Sequence, residues 1–192
     1  MSYKLLVMKF IILLAAFYTA PFSVNAQSLR LTGKTTIYLV RHAEKEKGND
    51  PGLTTTGKQR AGDLMRLLKN SHLQRIYVTQ FRRTQMTADS LRIQLGIDTV
   101  HYLADTTSND LLEKIKEHHD FGKTILIIGH SNTVPVIIKR SGVLKRPADI
   151  PDNEFDNLFI VKKVNGKAML TIKKYGAKAR KTASIETMQP LQ

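Results

Sequence analysis

The sequence has no cysteine and no tryptophan in 192 residues. Without cysteine there can be no disulfide, no zinc–thiolate or iron–sulfur site, and no thiol nucleophile. A lipid anchor on an N-terminal cysteine is excluded for the same reason. Acidic residues are scarce: 16 Asp and Glu stand against 30 Lys and Arg, leaving a net charge of +14. That imbalance suits anionic partners, whether phosphorylated substrates, nucleic acid or a membrane face, without choosing among them. No HExxH pair is present, and His118-His119 are neighbours that diverge around a helix rather than converge on a metal. Gly33-Lys34-Thr35 and Gly122-Lys123-Thr124 lack the upstream glycine of a phosphate loop, with Ser28 and Glu117 in its place. Each also precedes its strand, whereas a phosphate loop follows one.

Hydrophobic residues make up 42% and charged residues 24%, an ordinary globular balance that can bury a core. The length fits one domain. The N-terminus stands apart. Lys4 and Lys9 precede a mostly apolar run from Phe10 to Val24, and Val24-Asn25-Ala26 offers small residues for cleavage. This is the three-part pattern of a secretory signal over residues 1–26, with the mature chain starting at Gln27 and residing in the periplasm or outside the cell. The run is short against the ~20 residues of a spanning helix, and Pro21 interrupts it. The alternative is an uncleaved anchor in the inner membrane.

Strand and helix patterns alternate after residue 35. Thr36–Val40 and Thr124–Ile128 are continuous apolar and β-branched runs, which read as strands buried on both faces. Ile76–Val78 and Thr99–Leu103 are weaker strands. Thr56-x-x-Gln59 reads as a capping box, with Ala61, Leu64, Leu67 and Leu68 at helical spacing. Ala88, Leu91 and Leu95 mark a second helix closed by Gly96. Ser108 or Asn109 caps a third, with Leu111, Leu112 and Ile115 inward. Pro135 sits where a fourth begins. Leu158–Val164 and Lys167–Lys173 flank Asn165-Gly166, a strong hairpin signal. The expected fold is α/β: a single domain over residues 27–175, with a mostly parallel central sheet and helices on both faces. Residues 176–192 read as a basic, polar tail.

The chemistry gathers at strand ends. The first buried strand ends in Arg41-His42, and the strongest ends in Gly129-His130-Ser131-Asn132. Strand Ile76–Val78 runs into Phe81-Arg82-Arg83. In open α/β sheets, ligands sit beyond the carboxyl ends of the strands. Two imidazoles and at least two guanidiniums would meet there, which suits a phosphate dianion. A neutral imidazole is a competent nucleophile toward phosphorus, and fixed positive charge stabilises the transition state.

These residues carry a resemblance. Leu39-Val-Arg-His-Ala-Glu-Lys45 resembles the signature of the histidine phosphatase superfamily, the phosphoglycerate-mutase-like fold. Leu53-Thr-x-x-Gly57-x-x-Arg60-Ala61 resembles its next block. Tyr77–Ala88 resembles a third, with Thr79 and Arg83 on matching positions, and Ile127–Asn132 a fourth. The four blocks occur in order, and the short length is similar to the compact branch. The resemblance implies His42 as the nucleophile that becomes phosphohistidine. It implies Arg41, Arg83 and His130 as catalytic groups that hold the phosphoryl oxygens, with Asn132 lining the phosphate site. Glu44 and Asp105 are the candidate proton donors. Arg82, His72 and His101 read as surface or structural residues.

The implied activity is a metal-independent phosphatase for small phosphorylated substrates, with no cofactor. No specific nucleic-acid partner is expected, and no stable membrane insertion once the signal is removed. A mutase and a non-catalytic phosphate-binding module are the alternatives. Glu46–Gly52, Ala104–Asn109 and Arg140–Phe155 are the segments expected to shape the entrance.

Overall fold

The computed structural model describes residues 34–164 and 167–176. The expected signal segment, the Asn165-Gly166 turn and the tail from residue 177 lie outside the described residues.

Six strands form one sheet: β1 (Thr36–Arg41), β2 (Arg75–Thr79), β3 (Thr99–Tyr102), β4 (Thr124–Gly129), β5 (Asn157–Val164) and β6 (Lys167–Lys174). Their order is β3-β2-β4-β1-β5-β6. The pairs β1–β4, β2–β4 and β2–β3 are parallel; β1–β5 and β5–β6 are antiparallel. Val164 pairs with Lys167, so the strands flanking Asn165-Gly166 close as a hairpin. Three helices connect the parallel strands, α1 (Thr55–Leu68), α2 (Arg82–Leu95) and α3 (Asn109–Glu117), and α4 (Thr133–Arg140) leads from β4 to the antiparallel β5.

Alternation along the strands divides the core in two. Ile37, Leu39, Ile125 and Ile127 pack with Leu111 and Ile115 of α3 and Ile137 and Ile138 of α4. Val40, Leu126 and Ile128 pack with Leu64 and Leu68 of α1 and Ala88 and Leu91 of α2. Each such side chain contributes about 1.5–3 kcal/mol on full burial. β1 and β4 lie at the centre and feed both layers, which explains their unbroken apolar sequence.

Local details differ from expectation. α1 is capped by Thr54, whose hydroxyl accepts from the Gly57 N–H at 3.0 Å; the Thr56–Gln59 capping box does not form. Leu67 is exposed rather than in the core, because the stripe narrows to Ala61, Leu64 and Leu68. α4 begins at Thr133, two residues before Pro135. Leu103 falls beyond β3 and is exposed. Gly96 closes α2 in the left-handed conformation, φ +62°, as expected.

Gly57 has a steric reason. A Cβ there would stand 2.1 Å from the carbonyl oxygen of Glu44. The first turn of α1 thus lies against the peptide that follows the Arg41-His42 strand end. Thr54 N–H donates to that same carbonyl at 3.0 Å.

Candidate active site

His42 and His130 leave the sheet at adjacent strand ends, because Arg41 pairs with Gly129 across β1 and β4. Their rings lie edge to face with centroids 5.4 Å apart. Both side chains belong to buried residues. His42 Nδ1 donates to the carbonyl of Ala43 at 2.8 Å. The proton is thereby fixed on Nδ1, and Nε2 keeps its lone pair. Burial lowers the His42 pKa to about 3; the Ala43 carbonyl opposes this, while His130, Arg83 and Arg41 add to it.

His130 has the opposite tautomer. Arg83 Nη2 can only donate, so His130 Nδ1 accepts at 3.4 Å. His130 Nε2 then donates to Thr79 Oγ1 at 3.1 Å. Thr79 passes its own hydroxyl proton to Thr84 Oγ1 at 2.9 Å, and Thr84 donates to the Phe81 carbonyl at 2.8 Å. All three polar side chains are buried, so this directed chain is the only solvation His130 has on that side. Burial, then Arg83 and Arg41, lowers the His130 pKa to about 4.

The guanidiniums are held from outside the sheet. Arg41 Nη1 donates to the carbonyls of Pro151 and Glu154 at 2.8 and 3.3 Å, and Nη2 lies 3.6 Å from Asp152. The Phe155 ring stacks on the Arg41 guanidinium at 4.2 Å and lies 6.1 Å from the His42 ring. Arg83 stacks on Phe81 at 4.2 Å, and Phe81 meets His130 edge-on at 5.4 Å. The Nε atoms of Arg41 and Arg83 are buried without a hydrogen-bond partner. Burial lowers the pKa of both guanidiniums; Asp152 opposes it at Arg41, and Asp50 at Arg83. Each remains a cation. Two desolvated cations with unfilled donors beside two neutral imidazoles form a site for a small oxyanion.

The remaining candidates lie differently. Glu44 is committed to Arg60, whose Nε reaches both carboxylate oxygens at 3.0 and 2.8 Å while Nη2 reaches one at 2.6 Å. Asp105 accepts from the Thr107 N–H at 2.6 Å. Its burial would raise its pKa, but bonds from Thr107, Ser108 and Asp110 outweigh this and hold the carboxyl below its usual value. Asn132 is exposed at the start of α4 and makes no capping bond. Arg82, His72 and His101 are exposed, as expected.

Several residues of the site were not singled out from sequence. Thr87 accepts from the Ala43 N–H at 3.0 Å and donates to the Arg83 carbonyl at 2.7 Å, tying the His42 loop to the Arg83 turn of α2. Thr84, Phe81, Phe155 and Asp50 also belong here. Arg83 and Thr87 stand one helical turn apart at the start of α2, a spacing visible in sequence. Phe155 had none. Among the described residues, no group of three or more His, Asp or Glu is arranged to hold a metal ion.

Residues 37–107 match the family model of the histidine phosphatase superfamily, branch 1. The fold is that of the histidine phosphatases. The matched segment contains His42 and Arg83 and ends before β4, so His130 joins the site through the tertiary structure. No curated protein matches the sequence significantly. Among solved structures, the chain resembles a protein described as a phosphohistidine phosphatase, SixA, from Agrobacterium tumefaciens. Identity is 17%, the TM-score 0.53, and the match covers 74% of this chain and 98% of that one. SixA bound to tungstate gives 16% identity and a TM-score of 0.54, over 72% and 96% of the two chains. Phosphoserine phosphatase from Entamoeba histolytica, bound to 3-phosphoglyceric acid, gives 16% and 0.54, over 76% and 98%. At these identities the likeness establishes the histidine phosphatase fold.

Proposed function

We propose that this chain is an exported, metal-independent phosphatase that hydrolyses phosphomonoesters through a phosphohistidine at His42. One observation carries the reading. His42 presents an unprotonated Nε2 beside His130 and two guanidiniums whose Nε donors are unfilled. In the first step Nε2 attacks phosphorus in line, and the bond to the leaving oxygen breaks. The positive charge gained by the imidazole is stabilised by the Nδ1–H bond to Ala43. Arg41 and Arg83 hold the phosphoryl oxygens, and His130 orients Arg83 through its Nδ1. In the second step water attacks the phosphohistidine, releases inorganic phosphate and restores His42.

The commitments of Glu44 and Asp105 shape the substrate preference. Neither carboxylate is free to deliver a proton to the leaving oxygen. Substrates whose leaving group needs no proton, such as aryl phosphates, are therefore favoured over alkyl phosphates. Asn132 is retained as a rim residue for substrate, given its exposure at the start of α4. The neighbours described as phosphohistidine and phosphoserine phosphatases support hydrolysis over a mutase reaction. Export rests on the pattern in residues 1–26, with a mature start at Gln27.

The test is rapid quench with a radiolabelled aryl phosphate in the presence of EDTA. Wild type acquires acid-labile label, and His42→Ala acquires none. Absence of label and turnover in wild type refutes the mechanism. Turnover that vanishes with EDTA and returns with a divalent ion refutes metal independence. Mass analysis of the N-terminus of the exported protein checks the start at Gln27.

A further inference from the structure

The loop between β1 and α1 sends one acid into the site. Lys45 and Leu53 form an antiparallel bridge, and the Glu46 N–H donates to the Gly52 carbonyl at 3.0 Å, so the segment closes on itself. Asp50, at φ +46°, sits at its turn in a left-handed conformation that Asp tolerates better than most residues. Its Oδ1 accepts from the Arg82 N–H at 3.0 Å. Phe81 occupies the N-cap of α2 and supplies no side-chain cap, so Asp50 caps this helix from a distant loop. The same Oδ1 lies 3.8 Å from Arg83 Nη1. That is within ion-pair range and beyond hydrogen-bond length, so charge does the orienting.

The Arg83 guanidinium is thus divided three ways. Asp50 attracts Nη1, His130 takes Nη2, and Nε is buried without a partner. The α2 terminus that Asp50 caps also carries the Arg83 backbone. We propose that Asp50 is a positioning residue: it holds the Arg83 guanidinium beside His130 for a phosphoryl oxygen, and it docks the 46–52 loop onto the site. This deepens the phosphatase reading and rests on it.

Asp50→Asn separates the two roles, because the amide keeps an oxygen for the Arg82 N–H but loses the charge. The measurements are kcat and KM on an aryl phosphate, the inhibition constant of inorganic phosphate, and the melting temperature. The expected result is KM and the phosphate inhibition constant both raised about fivefold, the scale of one partly exposed ion pair, with kcat changed less and melting preserved. In an Arg83→Gln background, where no cation remains to be positioned, Asp50→Asn adds no further loss. An unchanged phosphate constant overturns the proposal. So does an equal loss in the Arg83→Gln background, which would mean that the Asp50 charge acts independently of Arg83. Tighter phosphate binding overturns it too, making Asp50 a competitor for Arg83. A wild type that neither turns over aryl phosphate nor binds phosphate removes the phosphatase reading and this inference together. An active wild type with an indifferent Asp50→Asn removes the inference alone.

Discussion

His42 and His130 are neutral imidazoles of opposite tautomer, set edge to face at 5.4 Å. One keeps Nε2 unprotonated because a carbonyl takes Nδ1–H. The other keeps Nδ1 unprotonated because Arg83 donates to it. Two protonated rings this close to two guanidiniums would repel, and burial makes that repulsion severe. The neutral pair leaves Arg41 and Arg83 as the fixed charges of the site.

The Thr79 chain fixes the His130 tautomer. Thr79→Val removes the acceptor for Nε2–H and leaves a buried donor unpaired. The rate should fall about tenfold, the scale of one lost buried hydrogen bond. Thr79→Ser, which keeps the hydroxyl, should retain most of it. His130→Ala should cost about tenfold in kcat, because Arg83 Nη2 loses the Nδ1 acceptor that orients it, while phosphohistidine still forms at His42. Steady-state kinetics and quench labelling check both.

Acid should destabilise the fold through the same rings. In the unfolded chain each histidine takes up a proton near pH 6.5, whereas in the fold the values are about 3 for His42 and about 4 for His130. The unfolded state therefore binds more protons as pH falls below 6.5, and stability drops by a few kcal/mol toward pH 4. Above 6.5 both states are neutral and this contribution is flat. His42→Asn lacks the titrating ring and should lose less stability than wild type between pH 7 and 4.5 in urea melts.

Arg41 holds a loop as well as a substrate. Its Nη1 bonds to Pro151 and Glu154 and its stack on Phe155 bind residues 151–155 to the end of β1. Arg41→Lys has one ammonium in place of the planar fork and cannot reproduce these contacts together. Phosphate binding should weaken at least tenfold, and amide exchange across residues 151–155 should accelerate. Phe155→Ala should raise KM several-fold, the scale of one cation–π contact.

Gly57→Ala tests the packing of α1 on the Glu44 peptide. The new Cβ meets a backbone carbonyl, which cannot rotate away as a side chain does. Overpacking of this kind costs about 3 kcal/mol. Thermal melting should fall by roughly 6–12 °C, and activity should fall with it because Glu44 directly follows the His42 loop.

The sequence alone determined the layered α/β sheet. Ile37–Val40 of β1 and Ile125–Ile128 of β4 form unbroken hydrophobic runs because both faces are covered, and that pattern is readable without coordinates. It also determined the local chemistry of Arg41-His42, Arg83 and His130, since strand ends in such a sheet share one edge. The Thr54 cap was harder to see, because Thr54, Thr55 and Thr56 offer equivalent hydroxyls and only the meeting of α1 with the Glu44 peptide selects the first. Tertiary structure decided what spacing cannot carry. Glu44 looked free until Arg60 folded onto it, and Asp105 until the start of α3 claimed it. Phe155 and Asp50 reach the site from loops, where no periodicity records which way a side chain turns. The two tautomers depend on a carbonyl one residue away in one case and a threonine on another strand in the other. Hydrogen bonds between distant segments form only when the chain is packed, so the protonation state of each histidine belongs to the fold.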